Sequence, residues 1–143
     1  RSNQKRKELL TNRIKHILSN RIKNKKIAFL GVTFKANTDD MRESSSLAMI
    51  PAFNKKGAIV TYYDPTGKKN EFAKLKNVIF CDNIFKACSK ADLIVIHTEW
   101  DEFKAIDFKK VSKNKKVKVY DMRNLYSAEL MKKKGFNYFS IGR

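Results

Sequence analysis

Residues 26–50 read KIAFLGVTFKANTDDMRESSSLAMI, and the order of their parts decides the fold. The apolar run KIAFL ends at Gly31, and a polar loop of Lys, Asp, Arg and Ser follows. Apolar residues then resume at helical spacing. A short apolar strand, a glycine turn and a helix in that order form the strand–turn–helix half of a βαβ unit. The G-x-G-x-x-G spacing of a dinucleotide turn is absent from this stretch, so the loop is not the usual dinucleotide fingerprint.

The same alternation continues outward from this stretch. Strands are expected over 26–31, 58–64, 77–81, 92–98, 116–121 and 138–142. Helices are expected over 43–56, 69–75, 83–90, 101–105 and 127–134, with Gly57 and Gly135 as the residues just past two helix ends. Pro51 falls inside the first of these helices, where it predicts a kink or a late start. Strands as uniformly apolar as LIVI are covered on both faces. The reading is therefore an α/β fold, doubly wound, with a mostly parallel sheet of about six strands. An amphipathic helix over 3–19 precedes it, with Leu9, Leu10, Ile14, Ile17 and Leu18 as its apolar stripe and a basic outer face. That stripe needs a partner, either this domain or another chain.

A chain of 143 residues is long enough for one domain with a hydrophobic core. Its net charge of +18 comes from 25 Lys and 7 Arg against 14 acidic residues, which favours anionic partners. The lysines are scattered, however, and no arginine cluster or known nucleic-acid module accompanies them, so nucleic acid is not the expected partner. No apolar run can span a bilayer and no signal-peptide pattern opens the chain, so no membrane association is expected. Cys81 and Cys88 have neither a zinc spacing nor a C-x-x-C arrangement, and a reducing, cytoplasmic setting is expected. The start at Arg1 rather than Met is expected of a fragment or a processed form.

In an open α/β sheet, ligands bind beyond the carboxyl ends of the strands, so the residues after each strand are the candidates. Lys35 and Arg42 could meet a diphosphate, helped by amides at the start of the following helix. Alternatively, Arg42 pairs with Asp39 or Asp40 and braces the loop; the residues alone leave both readings open. Asp64, before Pro65, reads as a turn cap rather than a ribose-binding acid. His97 ends a strand and is better placed for proton transfer than His16, although no carboxylate or nucleophile is matched to it. Cys81 and Cys88 read as packing residues, and Trp100 as packing at the sheet edge.

With those loops identified, the chain resembles the C-terminal, UDP-binding domain of the UDP-glucose 6-dehydrogenase family, the UDP-glucose/GDP-mannose dehydrogenases. The opening block is similar to the family's G-x-x-F-K-x-x-T-D-D-x-R-E-S pattern. YYDP, ADLIVIHTEWDEF and YDMRNLYSAELMKKKGFNYFSIGR follow in the family's order. The resemblance implies two NAD-dependent oxidations that turn a nucleotide sugar's C6 alcohol into a carboxylate through a cysteine-bound intermediate. It places Phe34, Lys35 and Arg123 against the UDP-sugar and Arg42 against NAD, which is bound mainly by a separate N-terminal domain. It divides the chain into the end of a central dimerisation helix at 1–25 and the UDP-binding domain at 26–143, so a homodimer through that helix is implied. The nucleophilic cysteine and the NAD domain match nothing here, so this chain alone is not expected to turn over substrate. Met122 stands where the family usually has glycine, which threatens to crowd the Arg123 loop. Three alternatives remain open at this point: a sister enzyme acting on a UDP-N-acetylhexosamine or GDP-mannose, a stand-alone basic module that binds nucleic acid or serves in assembly, and a remnant that folds without function.

Overall fold

The computed structural model describes residues 2–141, and its sheet settles the architecture. Six strands, β1 (Lys26–Leu30), β2 (Ile59–Tyr63), β3 (Val78–Phe80), β4 (Leu93–Ile96), β5 (Lys118–Asp121) and β6 (Asn137–Ser140), lie in the order β3-β2-β1-β4-β5-β6. Every neighbouring pair is parallel, with Ile27 opposite both Val60 and Leu93 at the centre. The expected strand at 138–142 ends early at Ser140, and its last residue, Gly142, lies outside the described residues.

The uniform hydrophobicity of β1 and β4 follows from burial on both faces. Ile27 to Leu30 and Leu93 to Ile96 are completely inaccessible. Alternate residues serve different layers, as the two-residue period of a strand requires. Ile27 and Phe29 join one core cluster, while Ala28 and Leu30 join the other. The first layer is covered by α1 (Ser2–Ile17) and α2 (Ser46–Lys55), the second by α3 (Ile84–Cys88), α4 (Phe108–Ser112) and α5 (Ala128–Lys133).

The stripe of the first helix finds its partner within the domain. Leu10, Ile14, Ile17 and Leu18 are buried in one cluster with Met49, Ile50 and Phe53 of α2, and only Leu9 remains 64% exposed. No helix among the described residues is long and apolar enough to cross a membrane.

Three expected helices differ from the structure. The segments at 69–75 and 101–105 contain only the single 3-10 turns Asn70–Phe72 and Asp101–Phe103. Each buries one phenylalanine, Phe72 or Phe103, which anchors the turn without needing a longer helix. The helix that the sequence reading passed over, α4, has Asp107 as its cap, with the carboxylate accepting from the Lys110 amide, and buries Phe108 and Val111. The helix expected from 43 starts at Ser46, and Pro51 sits inside it, unable to donate to the Leu47 carbonyl.

Candidate functional site

The sheet order reverses between β1 and β4, so the loops that follow these strands flank the crevice where such folds take ligands. Gly31 makes that juncture possible. Its φ is +79°, and a Cβ added there would lie 2.5 Å from the Thr98 Cβ in the loop after β4. The Val32 amide then donates to the Asp64 carboxylate at 2.8 Å, tying the loop after β1 to the end of β2. The other oxygen of Asp64 accepts from the Thr66 amide at 2.9 Å and the Thr66 hydroxyl at 2.5 Å. This buried acid is a turn brace, as its place before Pro65 suggested, and is not presented to a ribose.

From Val32 the chain makes a self-supporting loop. The Phe34 amide donates to the Asp40 carbonyl at 2.9 Å and the Thr33 hydroxyl to the Lys35 carbonyl at 2.9 Å. Their backbones are thereby held, while the Phe34 ring (residue 45% exposed) and the Lys35 amine face outward.

Arg42 forms a two-point pair with Asp40, Nε to Oδ1 and Nη2 to Oδ2 both at 3.1 Å. The hydrogen bonds from Arg42 and the charges of Arg42 and Lys35 hold the Asp40 carboxyl below the usual carboxylate range. Of the two aspartates weighed as loop braces, Asp40 has this role, while Asp39 is exposed. The pair is itself exposed and orients the guanidinium at the outer edge of the loop.

The amides at the start of α2 are not free for a phosphate, contrary to the expectation from sequence. Ser46 donates to the Ser44 hydroxyl at 3.3 Å, Leu47 to the Ser44 carbonyl at 3.1 Å, and Ala48 and Met49 both to the Ser45 carbonyl. The three serines turn inward: the Ser44 and Ser46 hydroxyls both donate to the Val32 carbonyl at 2.6 Å, and Ser45 lies 2.9 Å from a ring nitrogen of His97. These contacts escaped the sequence reading. The available signal was a run of serines before a helix, which ordinarily means capping. Here Ser45 occupies the cap position without making a side-chain cap.

Arg123 closes the site from the β5 side. Its Nε donates to the His97 carbonyl and its Nη2 to the Phe34 carbonyl, both at 3.0 Å. The turn beneath is braced by Asp121, which accepts from the Arg123 amide at 3.1 Å, the Tyr126 amide at 3.0 Å and the Tyr138 hydroxyl at 2.6 Å. Met122, expected to crowd this loop, has its side chain packed against the α1/α2 cluster. The structure thus brings Phe34, Lys35 and Arg123 to one end of the sheet, with Arg42 on the same loop as Phe34.

His97 is completely buried, and desolvation, with a smaller push from Arg123, lowers its pKa to about 3. It is neutral at physiological pH. Burial drives the Cys88 thiol up to about 12 and also raises that of Cys81, so neither is an activated nucleophile. Both thiols are free. Trp100 packs against the second cluster. Among the described residues, no group of three His, Cys, Asp or Glu is placed to hold a metal ion.

An all-parallel sheet in this order, with helices on both faces, defines a Rossmann-type α/β domain. The comparison with known proteins is specific. Residues 28–128 match the UDP-binding domain of the UDP-glucose/GDP-mannose dehydrogenase family, and the chain belongs to that family. It is 39% identical over 142 residues to a UDP-glucose 6-dehydrogenase of Rhizobium meliloti (strain 1021), covering 99% of this chain and 32% of the relative. A UDP-glucose 6-dehydrogenase of Rickettsia bellii (strain RML369-C) is 37% identical, with 99% and 33% covered. Among solved structures, an NDP-N-acetyl-D-galactosaminuronic acid dehydrogenase from Methanosarcina mazei Go1 superposes with a TM-score of 0.78. It is 27% identical, with 96% of this chain and 29% of that one covered. The chain spans about a third of the length of the curated relatives it matches.

Proposed function

We propose that this chain is the nucleotide-sugar-binding domain of a UDP-glucose 6-dehydrogenase, an NAD-dependent enzyme that oxidises UDP-glucose to UDP-glucuronate with two NAD. The observation that carries this reading is the convergence of Phe34, Lys35 and Arg123 at the switch point of a domain 39% identical to such an enzyme. The Lys35 ammonium offsets diphosphate charge, the Phe34 ring packs on the nucleotide sugar, and Arg123 fixes the rim of the site that receives it. These contributions position the substrate and do not make or break bonds.

NAD, when bound, accepts the hydride. Among the residues of this chain, Arg42 is the one assigned to it. An outward guanidinium already oriented by Asp40 has the charge and the donors to meet a phosphate of NAD held by another domain. The catalytic cysteine is assigned to a part of the enzyme beyond this chain, in keeping with the raised thiol pKa values of Cys81 and Cys88, and this chain by itself is not catalytic. A reducing, cytoplasmic setting suits its two free thiols. Dimerisation through α1 is assigned to this chain only as a weak, concentration-dependent association, since most of the helix stripe is spent on the domain itself. Sedimentation that stays strictly monomeric at high concentration would remove it.

Titration calorimetry with UDP tests the central reading. Saturable binding is expected, with loss in Lys35→Ala. No UDP binding together with tight, salt-sensitive DNA or RNA binding would instead favour a basic nucleic-acid module. Comparing UDP-glucose with UDP-N-acetylhexosamines and GDP-mannose separates this enzyme from its sisters.

A further inference from the structure

Arg123 and the Phe34–Lys35 loop approach each other across 89 residues of sequence, and a single buried side chain lies under both. Each nitrogen of the His97 ring faces a hydroxyl: Nδ1 is 3.0 Å from Thr98 Oγ1, and Nε2 is 2.9 Å from Ser45 Oγ. The Thr98 hydroxyl has one proton, and at 3.0 Å it donates to the Thr33 carbonyl, which can only accept. Its remaining lone pairs face Nδ1, so Nδ1 carries the imidazole proton. Nε2 is then the acceptor and Ser45 the donor. Ser45, at the cap position of α2, has helical backbone angles (φ −65°, ψ −19°) and makes no side-chain cap; its hydroxyl is turned to the histidine instead.

The main chain of the same residue completes the arrangement. The His97 carbonyl accepts from Arg123 Nε, while Nη2 of the same guanidinium holds the Phe34 carbonyl. The ring is supported by Phe29, at 6.1 Å between ring centroids. One residue therefore touches the loop after β1 through Thr98 and Thr33, the start of α2 through Ser45, and the loop after β5 through Arg123.

We propose that His97 is a positioning residue of the nucleotide-sugar site: its carbonyl holds Arg123, and its imidazole, protonated at Nδ1, ties Thr98 and Ser45, so that Arg123 and the Phe34–Lys35 loop keep their mutual register. The proposal rests on the reading of that site as a nucleotide-sugar site. A ring at this place without hydrogen bonds would fill the same volume but leave the Ser45 and Thr98 hydroxyls without their partner, freeing the loops to shift.

The test uses this chain with UDP as the calorimetric probe and backbone amide NMR shifts as a second readout. His97→Phe keeps an aromatic ring and removes both ring hydrogen bonds. His97→Asn keeps a short polar donor near the Nδ1 position. The expected result is UDP binding about tenfold weaker in His97→Phe and partly restored in His97→Asn, with shifted Phe34, Lys35 and Arg123 amides. A folded His97→Phe with parental UDP affinity and unmoved amides overturns the proposal. Should His97→Phe fail to fold, Ser45→Ala takes its place under the same criteria. If the parent chain does not bind UDP, the nucleotide-sugar reading fails on its own account. The amide shifts still decide the positioning role: displacement of Phe34 and Arg123 that His97→Asn reverses supports it, and unmoved amides refute it.

Discussion

The loops after β1 and β2 leave the same end of the sheet side by side and carry similar residues, yet they use them in opposite ways. After β2, Asp64 and Lys69 are consumed inside the domain. Asp64 is saturated by Val32 and Thr66, the largely buried Lys69 donates from Nζ to Thr66 at 2.5 Å, and the Lys69 amide donates to the Tyr62 hydroxyl at 2.9 Å. After β1, backbone groups and serines close the loop, while the side chains of Phe34, Lys35 and Arg42 face outward. A lysine whose amine is held by its own domain stabilises the fold, whereas one left in solvent on a braced backbone is free to meet a ligand. The chemistry of an Asp or a Lys does not distinguish these roles; the supply of partners does.

The largest expected effect breaks the frame that both loops share. Gly31→Val brings a branched Cβ into Thr98 at a positive φ, and the loss of stability should reach about 3 kcal/mol or more, together with UDP binding. Chemical denaturation and calorimetry measure both.

Acid should come next in size. The pKa of His97 is about 3 in the folded chain against 6.5 for an ordinary histidine, because burial disfavours its charged form. With the folded value lower, its contribution is fully present above pH 6.5 and is lost as pH falls toward 3. Denaturation midpoints measured across this pH span should fall with acid in the parent and fall less steeply in His97→Asn.

A third comparison sets the two loops directly against each other. Asp64→Ala should cost about 1–3 kcal/mol by orphaning the Val32 and Thr66 donors. Lys35→Ala should alter stability by less than about 0.5 kcal/mol while abolishing UDP binding. Equal destabilisation by the two would erase the distinction drawn between the loops. Smallest of all, Arg42→Ala should leave both the melting temperature and UDP binding unchanged in this chain, its assigned NAD contact lying with another domain; a marked fall in UDP affinity would reassign Arg42 to the sugar side.

Much of the fold was legible because continuous apolar strands, the glycine after β1 and the glycines past two helix ends have few alternative readings. LIVI admits a two-faced strand and little else at that length, and β4 is inaccessible throughout. The errors fell on short helical segments. NEF and DEF became single turns because one buried phenylalanine anchors each, while α4 was passed over although Asp107 and the apolar residues Phe108 and Val111 carried a cap-and-stripe signal. The roles assigned to Phe34, Lys35, Arg42 and Arg123 rest on a family pattern, joined for Lys35 and Arg42 by their charge in the loop after the first strand. The inward turn of the serines was not legible, since serine before a helix ordinarily caps it.

Local sequence by itself determined the alternation of strand and helix, the glycine turn at residue 31 and the stock of cations in the following loop, because these depend on side-chain period, backbone freedom and charge. Only the tertiary structure decided how that stock is divided. Asp64 accepts from the Val32 amide, the His97 ring meets the Ser45 hydroxyl, and Arg123 crosses 89 residues to the Phe34 carbonyl. Whether a polar group is spent or left available depends on which partners the sheet order brings within hydrogen-bond distance, and those partners are far apart in the chain.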